Sequence, residues 1–234
     1  MANLDHKEII IHTYDEAVKL IEQIGILPLA SMIPGHPSLV SVTAPNQWHS
    51  DTDNDPWKWR TRFPGDGAAA YGKMMKKKAV LISREWFPYV LKVVSHTDDP
   101  NTRYHNGLMS KAAVEVYRCI QEQEGIDTRA LRGRAGMKAK EMKTAFDNAV
   151  LELQGNLDIV ISGVKEKVNE LGEQNGWNST SYETVGHWME GAGMKTLTLS
   201  REEASFELSD RLESVCSAEA VLFLRKQFQM KSFQ

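Results

Sequence analysis

The chain has little cysteine. Only Cys119 and Cys216 occur, and both fall in stretches that read as helix. A disulfide-stapled secreted scaffold is therefore not expected, and buried, reduced thiols in a cytoplasmic protein are. No apolar run approaches the roughly 18 residues that a membrane helix needs. Met1 to Lys7 is polar, so no secretory leader is expected. Neither a phosphate-cradling glycine loop nor a Gly-x-Ser-x-Gly elbow is found. The seven histidines show no ligand spacing with a cysteine or carboxylate on a helix. Asp51-Thr52-Asp53-Asn54-Asp55 imitates the start of a calcium loop, but Pro56 stands where that loop needs glycine and Arg62 where it needs glutamate. No metal or cofactor is expected, and no internal repeat is evident.

What is present is an ordinary globular composition. The 234 residues are 41% hydrophobic and 25% charged, with a net charge of -3, enough for more than one packed unit. The charge is unevenly spread. Lys58, Arg60, Arg62, Lys73, Lys76, Lys77, Lys78, Arg84 and Lys92 are opposed locally only by Asp66 and Glu85. Arg129, Arg132, Arg134, Lys138, Lys140 and Lys143 face Glu141 alone. Two basic patches on a chain of near-neutral charge suit a polyanionic partner.

The pattern predicts an α+β, mostly helical protein. Thr13 to Glu16 is a capping box opening a helix that Gly25 ends. Four prolines between Leu27 and Pro45 make that stretch irregular. Residues 66–78 read as helix, 79–82 as a short strand, and Ser83 to Val94 as a second helix. The polar segment Ser95 to Gly107 reads as a linker. Ser110 to Glu124 is an amphipathic helix with Ala113, Val116, Tyr117 and Ile120 on one face. Asp127 caps a short helix, and Ala139 to Gln154 forms a third. A strand at 157–161, a polar loop and a strand at 179–188 follow. That order is the winged helix-turn-helix plan, in which the third helix enters the major groove. Ser200 and Ser217 cap two closing helices. Three regions result: 1–107, aromatic and basic and readable as a degenerate version of the same plan; 108–190, the winged helix-turn-helix; and 191–234, a helical extension.

The candidate functional residues follow from these placements. Opposite the apolar stripe of the third helix lie Lys140, Lys143, Thr144 and Asn148, side-chain types that reach phosphates and base edges. Arg129, Arg132, Arg134 and Lys138 precede it, and Lys165 and Lys167 sit on the loop between the strands. A solvated helix face would carry the same residues, and winged helices also bind proteins. In the first region Trp48, Trp57, Trp59, Arg60, Arg84 and Trp86 interleave aromatic and cationic groups, as base stacking beside phosphate requires. A small aromatic core would use the same rings.

Pro56-Trp57-Lys58-Trp59-Arg60, Ser83-Arg84-Glu85-Trp86-Phe87, Gly176-Trp177-Asn178-Ser179-Thr180 and Glu183 to Trp188 resemble bacterial AlkZ-related proteins. These are short relatives of the YcaQ-like winged-helix DNA glycosylases. The resemblance implies duplex DNA as partner. In the glycosylases, a Gln-x-Gln or Gln-x-Asp motif after the first helices positions the attacking water. Here those positions read Gly25-Ile26-Leu27-Pro28-Leu29, with leucines in place of the polar pair. The nearby substitute is Gln47-Trp48-His49. The first reading is thus a DNA-binding relative without catalysis. The alternatives are a glycosylase using Gln47, His49 or an acid of 51–55, and a protein-binding module.

Overall fold

The computed structural model describes residues 9–166 and 178–230. It is an α+β structure, predominantly helical, with two three-stranded antiparallel sheets. Among the described residues no helix is long and apolar enough to cross a membrane.

The first half runs α1 (Tyr14–Ile24), β1 (Ile26–Pro28), a 3₁₀ turn at Pro45–Gln47, α2 (Pro56–Gly65), β2 (Ala69–Met75), β3 (Lys78–Ser83) and α3 (Phe87–Val94). The Thr13/Glu16 capping box is formed, and Gly25 closes α1 at φ 74°. Asp55, from the calcium-like run, caps α2 through the Trp57 amide, and Asp51 pairs with Lys58 at 2.8 Å.

Residues 66–78 correct the sequence expectation. They form β2 and the start of a hairpin, not a helix. Ala69, Ala70, Tyr71, Gly72, Met74 and Met75 are all buried. With both faces of the strand covered, the amphipathic signal is lost, and a short apolar run gives no period to read. Lys76 and Lys77 make the hairpin turn at positive φ (46° and 60°). Such a turn matches the strand twist, although glycine or asparagine is its usual occupant.

A short helix, α4 (Pro100–His105), lies within the segment that reads as linker, and it buries Arg103. The second half then runs α5 (Lys111–Glu122), β4 (Ile126–Asp127), α6 (Thr128–Arg134), a 3₁₀ turn at Lys140–Met142, α7 (Lys143–Gly155), β5 (Ile159–Lys165), β6 (Ser179–Thr184) and α8 (Val185–Gly191). The last strand stops at Thr184, not Trp188: the Thr184 hydroxyl accepts from the His187 amide and starts a helix instead. Two further helices, α9 (Arg201–Val215) and α10 (Ala218–Gln227), carry the expected Ser200 and Ser217 caps. Cys119 and Cys216 are both buried and unbridged.

The two halves repeat one plan. Their sheet orders correspond, β1-β3-β2 and β4-β6-β5. Ile26 pairs with Ile82 and Leu27 with Leu81; Ile126 pairs with Tyr182 and Asp127 with Ser181, the same register shifted by 100 residues (26 to 126, 82 to 182). The sequence carries the trace as Glu22-Gln23-Ile24-Gly25-Ile26 and Glu122-Gln123-Glu124-Gly125-Ile126, so the expectation of no repeat is also corrected. The packing is reciprocal: α2 lies on β5, α7 lies on β2, and β2 lies beside β5. One core therefore joins Trp59, Phe63, Tyr71 and Leu81 to Val116, Phe146, Leu153 and Ile159. A second cluster joins Trp86, Phe87 and Trp188 to Leu208, Leu212 and Leu224 of the closing helices.

Candidate nucleic-acid interface

The residues expected to contact nucleic acid divide into free cations and clamps. Helix α7 turns Phe146, Ala149, Val150 and Leu153 inward, which leaves Lys143, Thr144, Asp147 and Asn148 exposed. Lys143 Nζ is tied to Asp147 at 2.6 Å. Lys138 and Lys140, in the loop and turn before α7, are exposed and have no ion-pair partner among the described residues. Lys165 is exposed at the end of β5, whereas Lys167 lies outside the described residues. Lys138, Lys140 and Lys143 thus lie at the N-terminal end of α7, and Lys165 at the far end of β5.

The arginines are used differently. Arg132 is half-buried; its guanidinium donates to the carbonyls of Met137, Lys138 and Ala139, at 3.1 to 3.3 Å, and faces the Phe146 ring. It holds the α6–α7 turn in shape. Arg134 donates to Gln123 and Glu122, and Arg129 lies 3.5 Å from Asp127.

The aromatic set also separates. Trp59 is fully buried, its indole N–H donating to the Asp53 carbonyl at 2.8 Å. Trp86 is buried against Gly25, and Trp48 donates to Thr43 Oγ1. Trp57 alone of this set is exposed, at 43%. Arg60 lies 3.6 Å over its ring, and His49 packs at 5.2 Å between ring centres. This makes a His49–Trp57–Arg60 stack at the start of α2, with His49 and Trp57 exposed and Arg60 half-buried. The Gln47 amide bonds to backbone through both of its polar atoms: Oε1 accepts from the Ala44 amide and Nε2 donates to the His12 carbonyl, both at 3.0 Å. It braces the chain beside α1, with one donor and one acceptor directed at backbone.

Where the halves meet there is a polar cleft of about 330 Å³. Asp66 enters from the turn after α2, Arg84 from the turn after β3, and Glu183 from β6, with Trp188 as a wall. Trp188 donates its indole N–H to the Pro64 carbonyl at 2.9 Å, and Arg84 reaches the Gly193 carbonyl at 3.4 Å. His187 Nδ1 lies 2.7 Å from Glu183 Oε2; that bond holds the imidazole pKa above its ordinary value. The cleft unites Arg84 and the Glu183–Trp188 segment, which are far apart in sequence. Sequence reasoning misses Asp66, Glu183 and His187 as site residues. The usable signal is the doubled plan, which puts the turns of one half beside the sheet of the other.

The family model described as AlkZ related matches residues 11–229. No curated protein and no solved structure matches the chain. A match over nearly the whole length settles the family: the chain belongs to the AlkZ-related family.

Proposed function

As a member of the AlkZ-related family, this chain is, we propose, a duplex-DNA-binding protein built from two winged-helix units and without base-excision activity. The observation that carries the reading is the doubled plan: helix, strand, helix, then a strand hairpin, with the first strand beside the last. In that plan the N-terminal end of the third helix approaches the groove and the hairpin approaches the backbone. Lys138 and Lys140, the Lys143 pair and Lys165 occupy those positions in the second half. Leu27 and Leu29, which stand where the polar pair of the glycosylases would fall, support the absence of excision, and Gln47, the nearby substitute, is held by backbone bonds beside α1.

The test is a salt titration of duplex binding. Lys138→Ala, Lys140→Ala and Lys165→Ala together should weaken binding. They should also flatten the log-log salt slope by up to about 0.9 for each phosphate no longer neutralised. Folding should change little, since exposed substitutions usually stay within about 0.5 kcal/mol. Binding and slope that do not move remove this interface, and salt-independent binding to a protein partner alone would favour an interaction module.

Base excision is a second reading, and the cleft between the halves favours it. Two carboxylates, Asp66 and Glu183, beside Arg84 could orient a water next to an extruded base. Incubation with duplex carrying a methylated purine, followed by alkali, decides between the readings. Strand breaks that vanish in Glu183→Gln would establish excision there; intact strands support the silent reading.

A further inference from the structure

A separate cavity of about 370 Å³ is walled by α3, α8 and the chain leading into α9, and none of the DNA-facing lysines borders it. Leu91, Met189 and Leu197 line its interior, and Lys92, His96 and Arg201 also border it; no acidic residue lines it. Lys92 and Arg201 make no ion pair among the described residues. Asp158, on whose carboxyl His96 acts electrostatically, is already paired with Arg103.

An apolar pocket with several convergent polar groups and a size in the range of about 300 to 1,000 Å³ is the usual form of a small-molecule site. Here every ionisable group on the lining is of a type that carries positive charge, which selects the sign of the ligand. We propose that this cavity binds a small amphiphilic carboxylate. Its aliphatic or aromatic body lies against Leu91, Met189 and Leu197, and its carboxylate meets Arg201 and Lys92. A guanidinium suits a carboxylate because it can donate two parallel hydrogen bonds. The occupant is a free small molecule and not a nucleic-acid phosphate, because a phosphodiester has no apolar body to fill the interior.

The probe is decanoate, titrated into the full chain while the Met189 methyl signal is followed by NMR. Saturable binding is expected, with decanol, of the same length but uncharged, at least about tenfold weaker, the equivalent of about 1.4 kcal/mol. Two variants locate the site. Arg201→Glu reverses the charge at the head of α9, where an acidic residue is favourable to the helix, so the fold is retained while decanoate affinity falls about tenfold or more. Leu197→Trp fills the cavity from a loop and should abolish the Met189 shift. Thermal stabilisation by decanoate should disappear in both variants, which must otherwise melt cooperatively. Equal affinity for decanol and decanoate, no saturable decanoate binding, or binding unchanged in both variants would each overturn the proposal.

Discussion

The two halves share a plan and a strand register but differ in what surrounds the same positions. In the first half the hairpin and the end of α1 are closed in. Its hairpin strand β2 is bonded to the other half, with the Lys73 amide donating to Gln154 Oε1 at 2.8 Å. Lys76 at its tip lies over the Phe223 ring of α10, and the glycine ending α1 is pressed against Trp86. In the second half the corresponding glycine, Gly125, is uncrowded, β5 ends in exposed Val164 and Lys165, and Lys138 and Lys140 have no ion-pair partner among the described residues. One copy of the plan has its hairpin packed into the scaffold while the other keeps its hairpin end outward. A duplicated unit can divide in this way because reciprocal packing of α2 on β5 and α7 on β2 consumes the same surface in each copy but leaves the helix starts and hairpin ends free to differ.

The largest effect expected concerns a tie that the second half has at the entrance to β5. Arg103, 1% exposed, is paired with Asp158. Burial pushes the Asp158 carboxyl up, with Arg103 pulling against it. Removing one member of a buried pair leaves the other charge unpartnered, at a cost of about 3–5 kcal/mol. Arg103→Met should therefore lower stability to urea by that amount, and Arg103→Met with Asp158→Leu should recover most of it. A loss below about 1 kcal/mol in the single variant would mean that the pair does not anchor the second half.

The next prediction sets the halves directly against each other. Gly25 and Gly125 sit at equivalent positions with φ 74° and 72°. A Cβ on Gly25 would lie 2.1 Å from the Trp86 ring, whereas on Gly125 its nearest neighbour is Glu183 Oε1 at 3.9 Å. Both alanine substitutions incur the left-handed backbone penalty of about 1–2 kcal/mol. Only Gly25→Ala adds overpacking, worth typically about 1–3 kcal/mol more. Chemical denaturation should thus show Gly25→Ala losing about twice as much as Gly125→Ala. Equal losses would contradict the claim that the first copy is the closed one.

Much of this is legible in the sequence, for local reasons. The caps at Thr13, Asp127, Ser200 and Ser217 are written in residue type and spacing, and the amphipathic faces of α1 and α5 have a readable period. β2 is not legible, because its covered faces erase the alternation that marks a strand. The placement of Trp57 outward and Trp59 inward cannot be read either, since two rings two residues apart give no sign of which faces the core. The DNA-contact set is half legible. Exposed lysines before α7 follow from composition, but Arg132 depends on a turn whose carbonyls converge only after folding. The cleft is hidden for a more basic reason. Asp66, Arg84 and Glu183 come together through the packing of one half on the other, and the short trace Glu-Gln-x-Gly-Ile gives too little sequence to announce that relation.

The smallest effect expected is a titration, and it tests whether the second half keeps a polar position where the first has closed it. By strand register Glu183 corresponds to Ser83: Val160 pairs with Glu183 as Ala69 pairs with Ser83. Ser83 is fully buried and its hydroxyl accepts from the Trp86 amide, whereas Glu183 faces the cleft and engages His187. The hydrogen bond to Glu183 raises the His187 pKa above its ordinary 6.5, with burial opposing it. The folded form then binds the proton more tightly than the unfolded chain, so the contribution to stability is fully present below about pH 6.5 and is lost as the pH rises through the folded value. Because the imidazole side chain is 53% exposed, water screens the pair and its effect on stability is slight. The readout is therefore the His187 ring proton by NMR across pH 5 to 9. Glu183→Gln removes the charge but keeps the shape, and it should bring the midpoint down toward 6.5. A midpoint that stays raised in Glu183→Gln would assign the shift to Glu124 or Glu190, which also act on this histidine, and would remove Glu183 as the group that organises the cleft.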